Sequence, residues 1–463
     1  MTSSLLIQGA STLLTGLSGP AARHDVATLG GDLRIEHGVI TEIGRLSPRP
    51  GERVVSAEGC VVMPGWVNTH HHLFQSLLKG IPAGIDAGLM AWLSAVPVAW
   101  RRHFDHEAVL RLAARLGMVE LLLSGCTTVA DHQYHYYPGM PFDASAAVFE
   151  EAQALGLRFV LCRGGQTITR KIDVDPPPQV RPETLDQFLA AIERDVQRWH
   201  DPSPLSMRRV VSAPTTPTWS VAVEHLRPIA EHARSLGIRL HSHLSETTEY
   251  VDFCREVHGC SPVAFVGEHG WLGDDVWYAH LVHLSPAEID TLVRTGTGMA
   301  HCPQSNGRLG SGVAPAPALL RAGGAVSLAV DGAASNEAAD MAHEAHAAWL
   351  IHRAVGGPSA LTTDEVVHMG TAGGARVLGL PRVGTLAVGQ AADLAVIPLD
   401  EPRQWGLHDP GVGPVACGGL RARTVVCAGR VVVDQGQIPG LDLQRLQAEA
   451  AQAVKTMMAH HPH

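Results

Sequence analysis

Eight short apolar segments, each running into polar or glycine-rich sequence and separated by helix-like stretches, set what this chain can fold into. They are Cys60–His72, Thr127–Gln133, Arg158–Gln166, Arg208–Pro217, Ile238–Leu244, Asp275–Val282, Gly296–Ser305 and Ala325–Ala333. Apolar residues at helical spacing fill the intervals, for example Glu107–Ser124, Asp143–Leu155, Thr184–Trp199 and Val223–Leu236. Eight such units predict an α/β fold, a (β/α)8 TIM-like barrel whose active site lies at the C-terminal ends of its strands. The chain ends read differently. Short alternating runs separated by Gly and Pro occur before residue 60 and again after residue 384, too few at either end to make a sheet alone. Pairing them predicts a small β-sandwich built from residues 1–62 and 384–463, with the barrel spanning 63–383. The Pro-rich stretch 173–182 reads either as a loop over the barrel mouth or as a passive linker.

Composition narrows the function. Of 35 basic residues only Lys79, Lys171 and Lys455 are lysine, whereas 27 residues are histidine. That excess calls for metal or proton-transfer chemistry before a packing explanation. The net charge of −10 argues against a nucleic-acid or anionic membrane partner. No run of about 18 apolar residues is present for a membrane span, and Met1–Leu14 lacks the features of a secretory signal. Eight scattered cysteines without C-x-x-C read as core residues in a reducing compartment, so a cytoplasmic protein is expected. No G-x-G-x-x-G, P-loop, H-E-x-x-H or P-C-x-x-C motif occurs.

The strand ends carry the chemistry. The first closes on Asn68-Thr-His-His-His, where His70 and His72 project to one face and His71 to the other. A bare His-x-His pair means little by itself, but other strand ends supply matching groups. The fifth reads His241-Ser-His243-Leu-Ser-Glu246, the sixth ends Tyr278-Ala-His280, and the eighth Val330-Asp331-Gly. A barrel brings these ends to one point. His70, His72, His243 and Asp331 then form a set of three histidines and one aspartate suited to Zn2+ or Fe2+. Glu246 stands beside the metal as a proton shuttle, and His280 is placed to orient the nucleophile or stabilise an oxyanion. His241 rivals His243 as a ligand, has the less favourable spacing to Glu246, and is read as structural.

Pro64-Gly-Trp-Val-Asn-Thr-His-His-His, His243-Leu-Ser-Glu246, Ala279-His280, Val330-Asp331-Gly and the closing Ala391-Ala-Asp-Leu-Ala resemble the motifs of the amidohydrolase superfamily across essentially the whole chain. Binuclear branches of that superfamily use a carboxylated lysine at the end of the fourth strand. Here that position reads Ser212-Ala-Pro-Thr-Thr-Pro, so one divalent metal, Zn2+ or Fe2+, is expected. The segments His72-Leu-Phe-Gln-Ser-Leu-Leu-Lys-Gly and Tyr136-Tyr-Pro-Gly-Met-Pro-Phe-Asp are most similar to the deaminase branch acting on pterins such as isoxanthopterin. Deaminases of 8-oxoguanine come next, and hydroxytriazine aminohydrolases after them. The resemblance implies hydrolytic deamination of a small heterocycle: activated water attacks the carbon bearing the amine, Asp331 takes its proton, Glu246 protonates the ring nitrogen, and ammonia leaves. Many relatives carry histidine or cysteine after the fourth-strand proline, where this chain has Thr215.

Gln75, Trp92, Gln133, Tyr134 and Arg163, at or just past strand ends, are candidate substrate contacts; for each, a structural role is the standing alternative. A homo-oligomer, dimer or larger, is the expected assembly. Two rival readings remain: a different hydrolysis at the same centre, or a catalytically dead metal-binding barrel.

Overall fold

The computed structural model describes residues 4–169, 179 and 181–461. The eight expected strands are present and all parallel. They are β1 (Trp66–His71), β2 (Cys126–Gln133), β3 (Arg158–Arg163), β4 (Arg208–Ser212), β5 (Leu240–Leu244), β6 (Val276–His280), β7 (Gly298–His301) and β8 (Val326–Leu328). Each pairs with its sequence neighbour. The barrel closes where the chain after β8 meets β1: Asp331 N–H donates to the His70 carbonyl at 3.1 Å, and His71 bridges Asp331. Most of the stretch 173–182 lies outside the described residues.

Alternation along the strands sorts the core. Ala130, Val160, Cys162, Val211, Ala213 and Ala300 fill the barrel interior, while Val129, Phe159, Leu161 and Val210 face the helices. The helices follow their sequence signals closely. Thr184 caps Leu185–Trp199 in a reciprocal box with Gln187, and Asp143 caps Ala144–Leu155 through Ala146 N–H. Glu107–Leu123 buries Leu110, Ala113, Ala114, Gly117, Met118 and Leu121, the three-and-four spacing of one helix face. Each leucine sealed there is worth about 1.5–3 kcal/mol of apolar transfer.

The strand expected over Cys60–His72 is two strands. Cys60–Pro64 belongs to a six-stranded sheet, and the chain enters the barrel after Gly65. A Cβ on Gly65 would lie 2.3 Å from the Thr127 side chain, so a bare backbone is needed at this crossing. Cys60–Pro64 pairs antiparallel with Leu394–Pro398, joining the two chain ends. A four-stranded sheet (Val39–Gly44, Asp32–Glu36, Leu5–Gln8, Arg53–Ser56) shares an apolar core with the six-stranded one through Leu5, Ile7, Leu33, Val62, Leu394 and Val396. In the closing Ala-Ala-Asp-Leu-Ala motif, Asp393 is buried against Arg158 at the start of β3 (2.9 Å) and accepts Ala428 N–H at 2.6 Å. The C-terminal helix Leu443–His460 turns back to the barrel, where Met457 packs in a cluster with Leu110 and Trp92.

Candidate active site

The strand ends deliver their side chains to one point above the barrel. His70 and His72 come from the end of β1, His243 from β5, and Asp331 from the turn after β8. Asp331 Oδ1 lies 3.3 Å from both His70 Nε2 and His72 Nε2, and His72 Nε2 lies 3.3 Å from His243 Nε2. Two of the groups that crown the strands adopt left-handed backbone, His280 at φ 74° and Asp331 at φ 61°. Such conformations cost about 1–3 kcal/mol each in a non-glycine residue and gather where geometry serves function.

Hydrogen bonding fixes which nitrogen of each ring is bare. His72 Nδ1 donates to the His132 carbonyl (2.8 Å) and His243 Nδ1 to the Thr215 carbonyl (2.7 Å). A neutral ring has one N–H, so both Nε2 atoms hold lone pairs, and their 3.3 Å approach is not a hydrogen bond. Burial pushes the imidazoles downward, His72 to about 4, which keeps them neutral. Burial pushes Asp331 up, but the hydrogen bonds donated to its oxygens by Gly332 N–H and Ser305 Oγ–H favour the ionised form. Bare nitrogens and a carboxylate oxygen facing one another repel unless a cation lies between them. The spacing fits one: metal bonds of 2.0–2.1 Å in a tetrahedron put neighbouring ligand atoms about 3.3–3.4 Å apart. This is a His/Asp metal-binding cluster.

Asp331 is held by its other contacts. Gly332 N–H reaches Oδ1 at 2.7 Å and Ser305 Oγ–H reaches Oδ2 at 2.6 Å. His280 Nδ1 donates to Asn306 Oδ1 (2.9 Å), turning Nε2 toward Glu246 Oε2 at 3.6 Å. Glu246 is buried; desolvation raises its pKa to about 8, opposed by His243 and reinforced by Asp331. At neutral pH it therefore carries a proton next to the cluster, as a general acid requires.

These groups open into one cavity. Gln75, Trp92 and Tyr134 line it. Gln75 Nε2 donates to Tyr134 Oη at 3.0 Å, and Trp92 Nε1 donates to the Ala334 carbonyl at 3.1 Å. Gln133 and Arg163 are not on its wall, which corrects the expectation. The alternation that turns Ala130, His132 and Cys162 inward turns Gln133 and Arg163 outward. Arg163 is spent on Glu183 (2.5 and 2.7 Å) and covered by the Tyr136 ring at 4.1 Å. Gln133 Oε1 accepts His135 N–H at 3.2 Å.

Residues not singled out from the sequence also line the cavity: Arg101, Gln166, Thr216 and Trp219. A fourth imidazole, His132, stands with its donor atom within 4.8 Å of those of His70, His72 and His243. Strict alternation read back from Tyr134 would have found His132. Nothing local marks Arg101, which lies in a helical stretch between β1 and β2.

The amidohydrolase family model matches residues 61–436. The chain belongs to the amidohydrolase family. This amidohydrolase is 55% identical to an isoxanthopterin deaminase from an unknown prokaryotic organism, over 98% of this chain and 97% of that protein. It is 38% identical to an 8-oxoguanine deaminase from Pseudomonas aeruginosa, over 93% and 95% of the two chains. Among solved structures, an atrazine chlorohydrolase from Arthrobacter aurescens complexed with zinc superimposes with a TM-score of 0.90 at 30% identity, covering 97% of this chain and all of the other. Among the described residues, no helix is long and apolar enough to cross a membrane.

Proposed function

We propose that this amidohydrolase hydrolytically deaminates an oxidised, aminated heterocycle of the pterin class, such as isoxanthopterin, releasing ammonia. The observation that carries the reading is Glu246, a buried carboxyl with its pKa raised to about 8, standing beside the cluster of three histidines and an aspartate. Similarity to an isoxanthopterin deaminase supports the pterin first, and similarity to an 8-oxoguanine deaminase supports an oxopurine second. A hydroxytriazine substrate ranks third.

His70, His72, His243 and Asp331 would hold one divalent ion, and we propose zinc, with iron(II) as the alternative. The zinc in the atrazine chlorohydrolase and the nitrogen-rich donor set support that choice. When bound, the ion supplies the Lewis acidity that makes water nucleophilic near neutral pH. Asp331, ionised and held by Gly332 N–H and Ser305 Oγ–H, accepts the proton that water loses and passes it to the amine as ammonia leaves. Glu246 delivers its proton to the ring nitrogen adjacent to the carbon under attack, relieving the developing negative charge, and regains one from the new hydroxyl as the C–N bond breaks. His280, whose Nδ1–H is committed to Asn306, presents a bare Nε2 that accepts a hydrogen bond from the attacking water and so orients it. Trp92 and Tyr134 offer flat faces to the ring, and the Gln75 amide reads its edge.

The eight free thiols support a reducing, cytoplasmic setting. A barrel over 63–383, a second domain from 1–62 and 384–463, and a homo-oligomeric assembly complete the proposal. The test is ammonia release from isoxanthopterin, pterin, 8-oxoguanine, guanine, cytosine and hydroxyatrazine side by side. Turnover led by isoxanthopterin upholds the reading, 8-oxoguanine in the lead moves it to oxopurines, and alkylamine rather than ammonia from hydroxyatrazine indicates triazine chemistry. No turnover of any compound by metal-loaded protein would leave a dead barrel.

A further inference from the structure

Of the three imidazoles that meet at the centre, His72 and His243 are oriented directly by main-chain carbonyls, and His70 is not. His70 Nδ1 faces another imidazole, His241 Nε2, at 2.8 Å. His241 is itself anchored on β6. Its Nδ1 lies 3.0 Å from the Trp277 carbonyl, and its ring stacks on the Trp277 indole with centroids 4.5 Å apart and planes inclined by 19°. The Trp277 indole is fixed in turn, donating through Nε1 to the Thr69 carbonyl beside His70 at 3.1 Å.

The direction of this chain follows from what each atom can do. A carbonyl oxygen only accepts, so His241 Nδ1 carries the hydrogen. A neutral ring has no second hydrogen, so His241 Nε2 is an acceptor and His70 Nδ1 must be the donor. The lone pair of His70 is thereby left on Nε2, 3.3 Å from Asp331 Oδ1. We propose that His241 is a positioning residue for the metal centre, relaying the polarity of the Trp277 carbonyl into the tautomer of His70 so that all three imidazoles present bare Nε2 atoms.

The inference rests on the cluster being a metal centre and gives a function to a histidine that neither lines the cavity nor belongs to the ligand set. It also has a chemical consequence. Metal-bound histidines are commonly backed by a carboxylate, a carbonyl or water. A neutral imidazole behind His70 adds no negative charge, so Asp331 remains the only anionic ligand and the bound ion keeps more of its Lewis acidity than with a second carboxylate behind it.

The test compares wild type, His241→Gln and His241→Asn. A Gln side chain can place its amide oxygen where His241 Nε2 stands, whereas Asn ends near the position of Nδ1 and cannot reach His70. Zinc affinity is measured by chelator competition, and nitrogen-15 histidine NMR of the zinc-loaded proteins follows the His70 Nδ1–H. The Gln variant should bind zinc within about threefold of wild type and retain that proton signal. The Asn variant should lose it and bind about 10–100-fold more weakly. Equal affinity of Asn variant and wild type would overturn the proposal, and so would equal weakening in both variants, which would assign the effect to packing on Trp277. Wild type alone provides a measurement independent of folding: scalar coupling across the His70–His241 hydrogen bond with the hydrogen on His70. Its absence, or the hydrogen on His241 Nε2, overturns the relay. Failure of wild type to bind zinc would instead refute the underlying metal-centre reading.

Discussion

Replacing Glu246 by Gln removes a transferable proton while keeping the volume and the hydrogen-bonding outline of the side chain. The carboxyl is buried, its pKa is raised to about 8, and its Oε2 lies 3.6 Å from His280 Nε2. Near pH 7 such a group is mainly protonated, as an acid requires. Proton transfer by a placed side chain contributes about 10²–10⁴ in rate. Turnover of Glu246→Gln should fall by that range, about 3–5 kcal/mol of barrier. Metal content should be unchanged, because Glu246 is absent from the converging donor set. The assay is steady-state ammonia release with zinc per chain measured on the same samples. In wild type the rate should decline as pH rises through about 8 and the proton is lost, while the residual rate of the variant should lack that limb. A variant with full zinc and a rate within threefold of wild type would refute the acid role; loss of zinc would make Glu246 a ligand.

Three further outcomes follow from the same geometry. Gly332→Ala would place a Cβ 1.9 Å from Gln75 Oε1, so the amide must leave Tyr134; KM should rise severalfold with about 1–3 kcal/mol lost in stability, and an unchanged KM would remove Gln75 from substrate binding. Asp131 is buried with one oxygen unpartnered, and desolvation raises its pKa to about 7. Because the unfolded carboxyl ionises first, the contribution of Asp131 to wild-type stability should fall as pH rises from about 4 to about 7 and stay level above. Asp131→Asn should lack that slope, gaining Tm relative to wild type between pH 5 and pH 8; a constant difference would show that Asp131 does not titrate there. Chelation should lower Tm and zinc restore it, with about 4 kcal/mol of stabilisation when free zinc is a thousandfold above Kd; a Tm indifferent to chelator would speak against the metal centre.

The barrel was legible because alternation, capping and strand-end polarity agreed along the whole sequence. Asp143 and Thr184 marked their helix starts, and the six strand-end side chains singled out from the sequence converge because a closed barrel must bring those ends together. Where the reading failed, the competing physics was already present in the sequence. Proximity to a strand end promoted Gln133 and Arg163, although the two-residue period that placed His70 beside His72 sends both to the outer face. The same period would have found His132. The apolar run through Gly65 concealed a break, since hydrophobicity alone does not distinguish one long buried strand from two that serve different sheets. His241 was treated as structural because its partner, the Trp277 carbonyl, belongs to the neighbouring strand and leaves no mark in side-chain spacing. Arg101 and Trp219 reach the cavity from loops and short helices, whose course depends on packing rather than on period.

The most direct test of the account is ammonia release from isoxanthopterin by metal-free protein titrated with zinc. The account predicts no turnover without metal and a rate that rises linearly and levels at one zinc per chain. Undiminished release by metal-free protein, or a rate that stays at zero with zinc fully bound, would contradict it.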